Sequence, residues 1–154
     1  LRRKIRGKRI KNKKMINSDY CEIKFPDEYA DVIFFSLSFP AHSKNRNADL
    51  RKFRKILKPG GVMIIVDTVA GGEWWNTRKL LGLGKSMIPR NTKWVLGKGF
   101  KRAKIMDSLL EYKNRENILK SVKPFFGGEM AGYLIGKGRT SFKIRIGVFC
   151  WKKK

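Results

Sequence analysis

His42 is the only histidine in the 154 residues, and it follows Phe39, Pro40 and Ala41 closely enough to share one loop. An imidazole titrates near neutral pH, so a histidine between an apolar strand and a helix can exchange a proton with a bound substrate; the same place also suits a structural or simply exposed side chain. A second chemical pair is Asp19 with Tyr20, a carboxylate beside a flat aromatic at the end of the short apolar stretch 15–19. A third group lies in residues 70–104, where Trp74, Trp75 and Trp94 alternate with Arg78, Arg90 and several lysines between glycines. Aromatics among cations suit base stacking with phosphate contact, an anionic lipid interface, or the packing of a lid against a core. Cys21 and Cys150 lack Cys-x-x-Cys spacing, so no metal site is indicated, and reduced thiols in a cytoplasmic protein account for them most simply.

The elements that would position these groups begin with two apolar runs of strand length, in residues 30–38 and 62–66. Between them Leu50, Phe53 and Leu57 recur at helical spacing, with Asn47 able to cap a helix over 48–58 and Pro59-Gly60-Gly61 to end it. Strand, helix and strand in this order predict a βαβ unit with parallel strands in a sheet covered on both faces, hence an α/β protein. Ligands of such sheets lie beyond the carboxyl ends of the strands, where Asp19, Tyr20, Ser36, Leu37, Phe39 and His42 fall. Residues 70–104, also at that edge, read as an insertion or lid. Further on, the apolar spacing predicts a helix over 105–122 stopped by Pro124, then strands at 130–135 and 142–151. The second alternates as a half-buried antiparallel strand does.

Four landmarks stand in register: Ser18-Asp19-Tyr20-Cys21 and the residues to Phe25, the acidic turn Pro26-Asp27-Glu28, Ala30-Asp31-Val32-Ile33, and Leu57-Lys58-Pro59-Gly60-Gly61. Together they resemble the second half of the class I S-adenosylmethionine-dependent methyltransferase domain, over roughly residues 13–69. The resemblance implies a partial Rossmann-like sheet, mostly parallel, with a C-terminal antiparallel hairpin. It implies S-adenosyl-L-methionine as cofactor, with Asp19 accepting from the adenine amino group and Tyr20 beside it. Ser36, Leu37 and Phe39 would face the methionine portion, and His42 would lie near the methyl donor. The family's Gly-x-Gly-x-Gly turn and ribose-holding acid have no counterpart between Leu1 and Asp19. The expectation is therefore an incomplete chain: a basic segment, 1–14, then a single truncated domain, 15–154. It would be inactive alone and depend on a missing N-terminal half or a partner chain for the cofactor loop. The fold does not specify the methyl acceptor.

Charge adds a competing reading. The 37 Lys and Arg against 12 Asp and Glu give a formal charge of +25, and residues 1–14 carry nine cations and no acid. Such an excess attracts polyanions, so a non-enzymatic nucleic-acid-binding remnant of the same fold is the alternative. A doubly wound enzyme using another nucleotide is a weaker one, disfavoured by the absent glycine loop. No apolar run reaches membrane-spanning length and no signal-peptide core follows the basic start, which predicts a soluble cytoplasmic protein.

Overall fold

The computed structural model describes residues 19, 20, 22–83 and 88–154. The expected basic segment 1–14, and the strand at 15–19 apart from Asp19, lie outside them. Among the described residues the order is β1 (Ala30–Ser36), α1 (Arg46–Ile56), β2 (Leu57–Thr68), α2 (Gly72–Leu80), α3 (Ile88–Gly97), β3 (Lys101–Glu111), α4 (Arg115–Phe126), α5 (Gly128–Gly136) and β4 (Ser141–Lys152). One mixed sheet has the order β1-β2-β4-β3: β1 and β2 run parallel, while β4 is antiparallel to both β2 and β3. The α/β class and the closing antiparallel pair are as expected, with a single parallel pair among these strands.

Side chains alternate across each strand, so the sheet has two distinct faces. On the first, Phe35, Met63, Ile65 and Phe149 are buried under Leu50, Phe53 and Ile56 of α1 and Val95 of α3. On the second, Phe142 and Ile144 of β4 are buried with Trp74 of α2, Ile118 and Val122 of α4, and Met130 and Leu134 of α5. Among the described residues that cover ends part-way along the sheet. The cross-strand rows Val32–Val62, Phe34–Ile64–Cys150 and Val66–Val148 continue the second face toward β1, where Val32 is 56% and Phe34 60% exposed.

Local chemistry explains where the elements depart from their sequence-based bounds. Asn45, with an extended φ of −134°, accepts from the Ala48 N–H and starts α1 two residues before the helix expected at 48–58. The Pro-Gly-Gly turn lies within β2. Pairing passes from Ala30–Leu57 to Val32–Val62, so Lys58 to Gly61 bulge out opposite Asp31 alone. Gly60 there has φ +77°, and a Cβ at Gly61 would come within 2.9 Å of the Lys58 carbonyl.

The region after residue 100 requires correction. Residues 105–111, expected to open a helix over 105–122, belong instead to β3, because ten pairings with β4 outweigh the helical spacing of Ile105, Leu109 and Leu110. Asn114 accepts from the Asn117 N–H and starts α4, which runs past Pro124 to Phe126. Residues 130–135, expected as a strand, belong to helix α5. Met130, Ala131 and Leu134 lie on one buried helical stripe, and a short continuous apolar run has no period that separates strand from helix. The partner of β4 in the closing pair is accordingly β3.

Candidate active site at the carboxyl edge of the sheet

Where β1 ends, the Leu37 N–H donates to the Val66 carbonyl at 2.8 Å, carrying the parallel pairing one step further. Leu37 then adopts φ +51°, a left-handed conformation that a branched side chain holds only when its surroundings impose it. The reversal sends Ser38 to Ser43 into a helical turn, with the His42 N–H donating to Ser38 at 3.0 Å and that of Ser43 to Pro40 at 3.3 Å. Asn45 and the Ser43 hydroxyl, which donates to Asp49 at 2.5 Å, tie this loop to the first turn of α1.

The sequence-predicted residues divide here into wall and rim. Phe39 is fully buried, with its ring edge-to-face with Tyr20 (6.2 Å), Phe53 (5.5 Å) and Trp94 (5.7 Å). Tyr20 also meets Phe35 at 5.8 Å, so the segment carrying Asp19 is seated against the carboxyl end of β1. Asp19, Ser36, Leu37 and His42 are exposed around that aromatic base.

Asp67, near the carboxyl end of β2, belongs to the same edge and was not among the residues the sequence singled out. It is half-buried, and desolvation pushes its carboxyl above the usual range. The Thr68 N–H at 2.7 Å, the Thr68 hydroxyl at 3.5 Å and the electrostatic pull of His42 act in the opposite sense. An acid ending an apolar strand at the ligand edge was the available signal. A carboxyl with a raised pKa within electrostatic reach of an imidazole is a candidate to hold or pass a proton.

The tryptophan-containing segment does not form one lid. Trp94 and Arg90 lie on α3 beside the β1 loop, whereas Trp74, Trp75 and Arg78 lie on α2, which packs on β4. Trp74 is 4% exposed and edge-to-face with Phe126 at 5.4 Å, which makes it core. The Arg78 guanidinium lies 5.5 Å from the Trp74 ring and donates to the Leu83 carbonyl at 3.0 Å, while Trp75 carries Lys79 at 5.7 Å. Between the β1 loop and α3 opens a cleft of about 460 Å³ lined by Pro40, Ala41, Ser43, Lys44, Arg46, Arg90, Lys93 and Trp94. No helix among the described residues is long and apolar enough to cross a membrane.

Residues 2–65 match the family profile described as a methyltransferase domain. Among solved structures, the YcgJ protein of Bacillus subtilis superposes with a TM-score of 0.54 at 15% identity, covering 89% of this chain and 69% of its own. The [4+2]-cyclase SpnF superposes at 0.46, with 13% identity and coverages of 88% and 55%. Haemonchus contortus phosphoethanolamine N-methyltransferase 2, solved with S-adenosyl-L-methionine, gives 0.42, with 17% identity and coverages of 88% and 36%. At 15% identity the likeness to the Bacillus subtilis protein establishes the fold alone. No curated protein matches the chain by sequence.

Proposed function

We propose, for a chain whose residues 2–65 match the methyltransferase domain profile, that the carboxyl edge of β1 and β2 forms the methyl-transfer side of an S-adenosylmethionine site. The observation that carries this reading is the meeting of Tyr20, the 36–42 loop and Asp67 at that edge. Asp19 and Tyr20 would hold the adenine, and Ser36 and Leu37 the methionine portion, with Phe39 as the buried support beneath them. S-adenosylmethionine supplies an already activated methyl group, so the chain's contribution is proximity and orientation. His42, within electrostatic reach of Asp67, would take the acceptor's proton. Residues 70–104 would then contribute only their α3 part to the acceptor side.

The same reading makes these residues insufficient for catalysis. A glycine-rich turn and a ribose-binding acid must come from a segment that continues the sheet, and the open face at Val32 and Phe34 offers an apolar surface on which such a segment could pack. Without their charge-assisted hydrogen bonds, each contributing about 1.5–3 kcal/mol, a micromolar cofactor site weakens to about millimolar or beyond. Calorimetry of the 154-residue chain with S-adenosylhomocysteine should therefore be silent. The same titration on a longer chain, joined to a glycine-turn segment, should release heat that Asp19→Ala reduces. Turnover of radiolabelled S-adenosylmethionine by the 154 residues alone would refute the dependence on that segment, and silence in the joined chain would refute the cofactor assignment.

The +25 charge adds a proposed non-specific attraction for polyanions. Its affinity should fall steeply with salt, and deleting residues 1–14 should weaken it and flatten the slope. An unchanged slope would move that footprint to 70–104.

A further inference from the structure

The cleft between the β1 loop and α3 places Lys44, Arg46, Arg90 and Lys93 around one opening, with no acid in its lining. None of these four is held in an ion pair among the described residues, although ion pairs engage Lys58, Lys120, Arg139, Arg145 and Lys153 elsewhere. Four like charges around one cleft repel each other, and a bound anion relieves that repulsion. At about 460 Å³ the cleft falls within the roughly 300–1,000 Å³ typical of small-molecule sites.

Trp94 at its base is fixed in orientation. Its indole N–H donates to Asn47 at 3.3 Å, its ring meets the edge of Phe39 at 5.7 Å, and the Arg46 guanidinium lies 5.1 Å from its centroid. Lys98 approaches the same ring at 5.9 Å. With cations already against the ring, the indole is poorly placed to stack a nucleobase. The guanidinium that it orients keeps donors for an oxyanion, which Arg forks bind in pairs.

We infer that this cleft is a phosphate-binding subsite. On the methyl-transfer reading, on which this part rests, it receives a phosphate carried by the methyl acceptor and so directs the acceptor's other end toward the 36–42 loop.

The test is an NMR titration of the full chain with inorganic phosphate, at constant ionic strength set with chloride. The indole N–H resonance of Trp94, assigned from the Trp94→Phe variant, is the reporter. Phosphate should shift that resonance, and the double variant Arg90→Glu/Lys93→Glu should weaken the apparent affinity about ten-fold or more. Lys101→Glu/Lys104→Glu, which changes net charge equally on exposed residues of β3, should change it less than about three-fold. Equal losses in the two double variants would reduce the effect to net charge and overturn the subsite. A Trp94 shift with oligothymidylate but none with phosphate would overturn it in favour of a single-stranded nucleic-acid surface. The readout needs no cofactor, so a silent S-adenosylhomocysteine titration of the longer chain would remove methyl transfer and leave the phosphate result standing.

Discussion

The two faces of the sheet are built from the same strands and differ in what lies over them. On the first, α1 and α3 seal Phe35, Met63, Ile65 and Phe149 into one cluster, and every third or fourth residue of α1 points into it. On the second, α2, α4 and α5 cover the β4 end and stop, leaving Phe34 and Val32 open at the β1 end. Strands of a parallel α/β sheet are normally apolar on both sides because helices cover both. The difference teaches that β1 carries apolar residues on both sides while the described helices seal only one of them at that end. A strand's composition thus reports the environment it requires, which can exceed what the neighbouring elements provide.

The largest test of that contrast removes one ring from each face. Phe53→Ala on the covered face should cost about 3–5 kcal/mol, because Phe53 meets Tyr20, Phe35 and Phe39 in a sealed cluster. Phe34→Ala on the open face should cost under about 1 kcal/mol, because its ring is already largely in water. Urea denaturation of both variants is the measurement. Similar losses would mean that Phe34 is covered in solution and would end the contrast.

A smaller effect is expected where the second face is clamped. Glu73 of α2 pairs with Arg139 and accepts the Lys143 N–H of β4 at 2.9 Å, so one carboxylate ties α2 to both β4 and the turn before it. The Arg139 hydrogen bond is the chief cause that holds the Glu73 carboxyl below its ordinary range. Its depressed folded value means that the contribution is present above the unfolded pKa and lost as pH falls through the folded one. Glu73→Gln should cost about 1–2 kcal/mol at neutral pH, with the deficit shrinking in acid. A deficit independent of pH between 3 and 7 would assign the loss to packing instead.

How far the sequence could be read follows the same division. The βαβ unit was legible because Leu50 and Phe53 keep helical spacing between two apolar runs, and because the Leu57 to Gly61 landmark is a backbone requirement: only glycine tolerates the approach at Gly61. Residues 101–111 were not legible. Ile105, Met106 and Leu109 are 38–50% exposed, so burial imposes no alternation on β3, and its identity as a strand comes from β4 far along the chain. Met130 to Ile135 is apolar without a period, and only packing under α4 makes it a helix. At the site, the 36–42 loop was legible from its place after a strand, whereas Asp67 was passed over because an acid at a strand end also reads as a turn residue. The tryptophans misled as a group because spacing in sequence does not say that Trp74 and Trp75 pack into one core cluster and Trp94 against the other.

Asp67 should give the smallest change in stability and the one most directly connected to function. Burial raises its folded pKa above the unfolded value, so the fold binds its proton more tightly than the unfolded chain does. Its stabilising contribution is therefore fully present below the unfolded pKa and is lost as pH rises through the folded one, leaving at neutral pH a half-buried charge that the fold tolerates at a cost. Asn at this position keeps an oxygen for the Thr68 N–H and removes the charge. Asp67→Asn should raise Tm at pH 7 by about a few degrees or less relative to the unsubstituted chain, with that gain shrinking as pH falls into acid. On the proposed methyl-transfer reading, the same substitution in a chain joined to a glycine-turn segment should lower methyl transfer, because that reading makes Asp67 the partner of His42 in handling the proton. A gain in stability with a loss of turnover is the pattern of a residue kept for function at the expense of the fold. Thermal melts from pH 4 to 8 on the 154-residue chain, set beside turnover of the joined one, would decide it: a destabilised Asn variant, or one with unchanged turnover, would return Asp67 to a purely structural role at the end of β2.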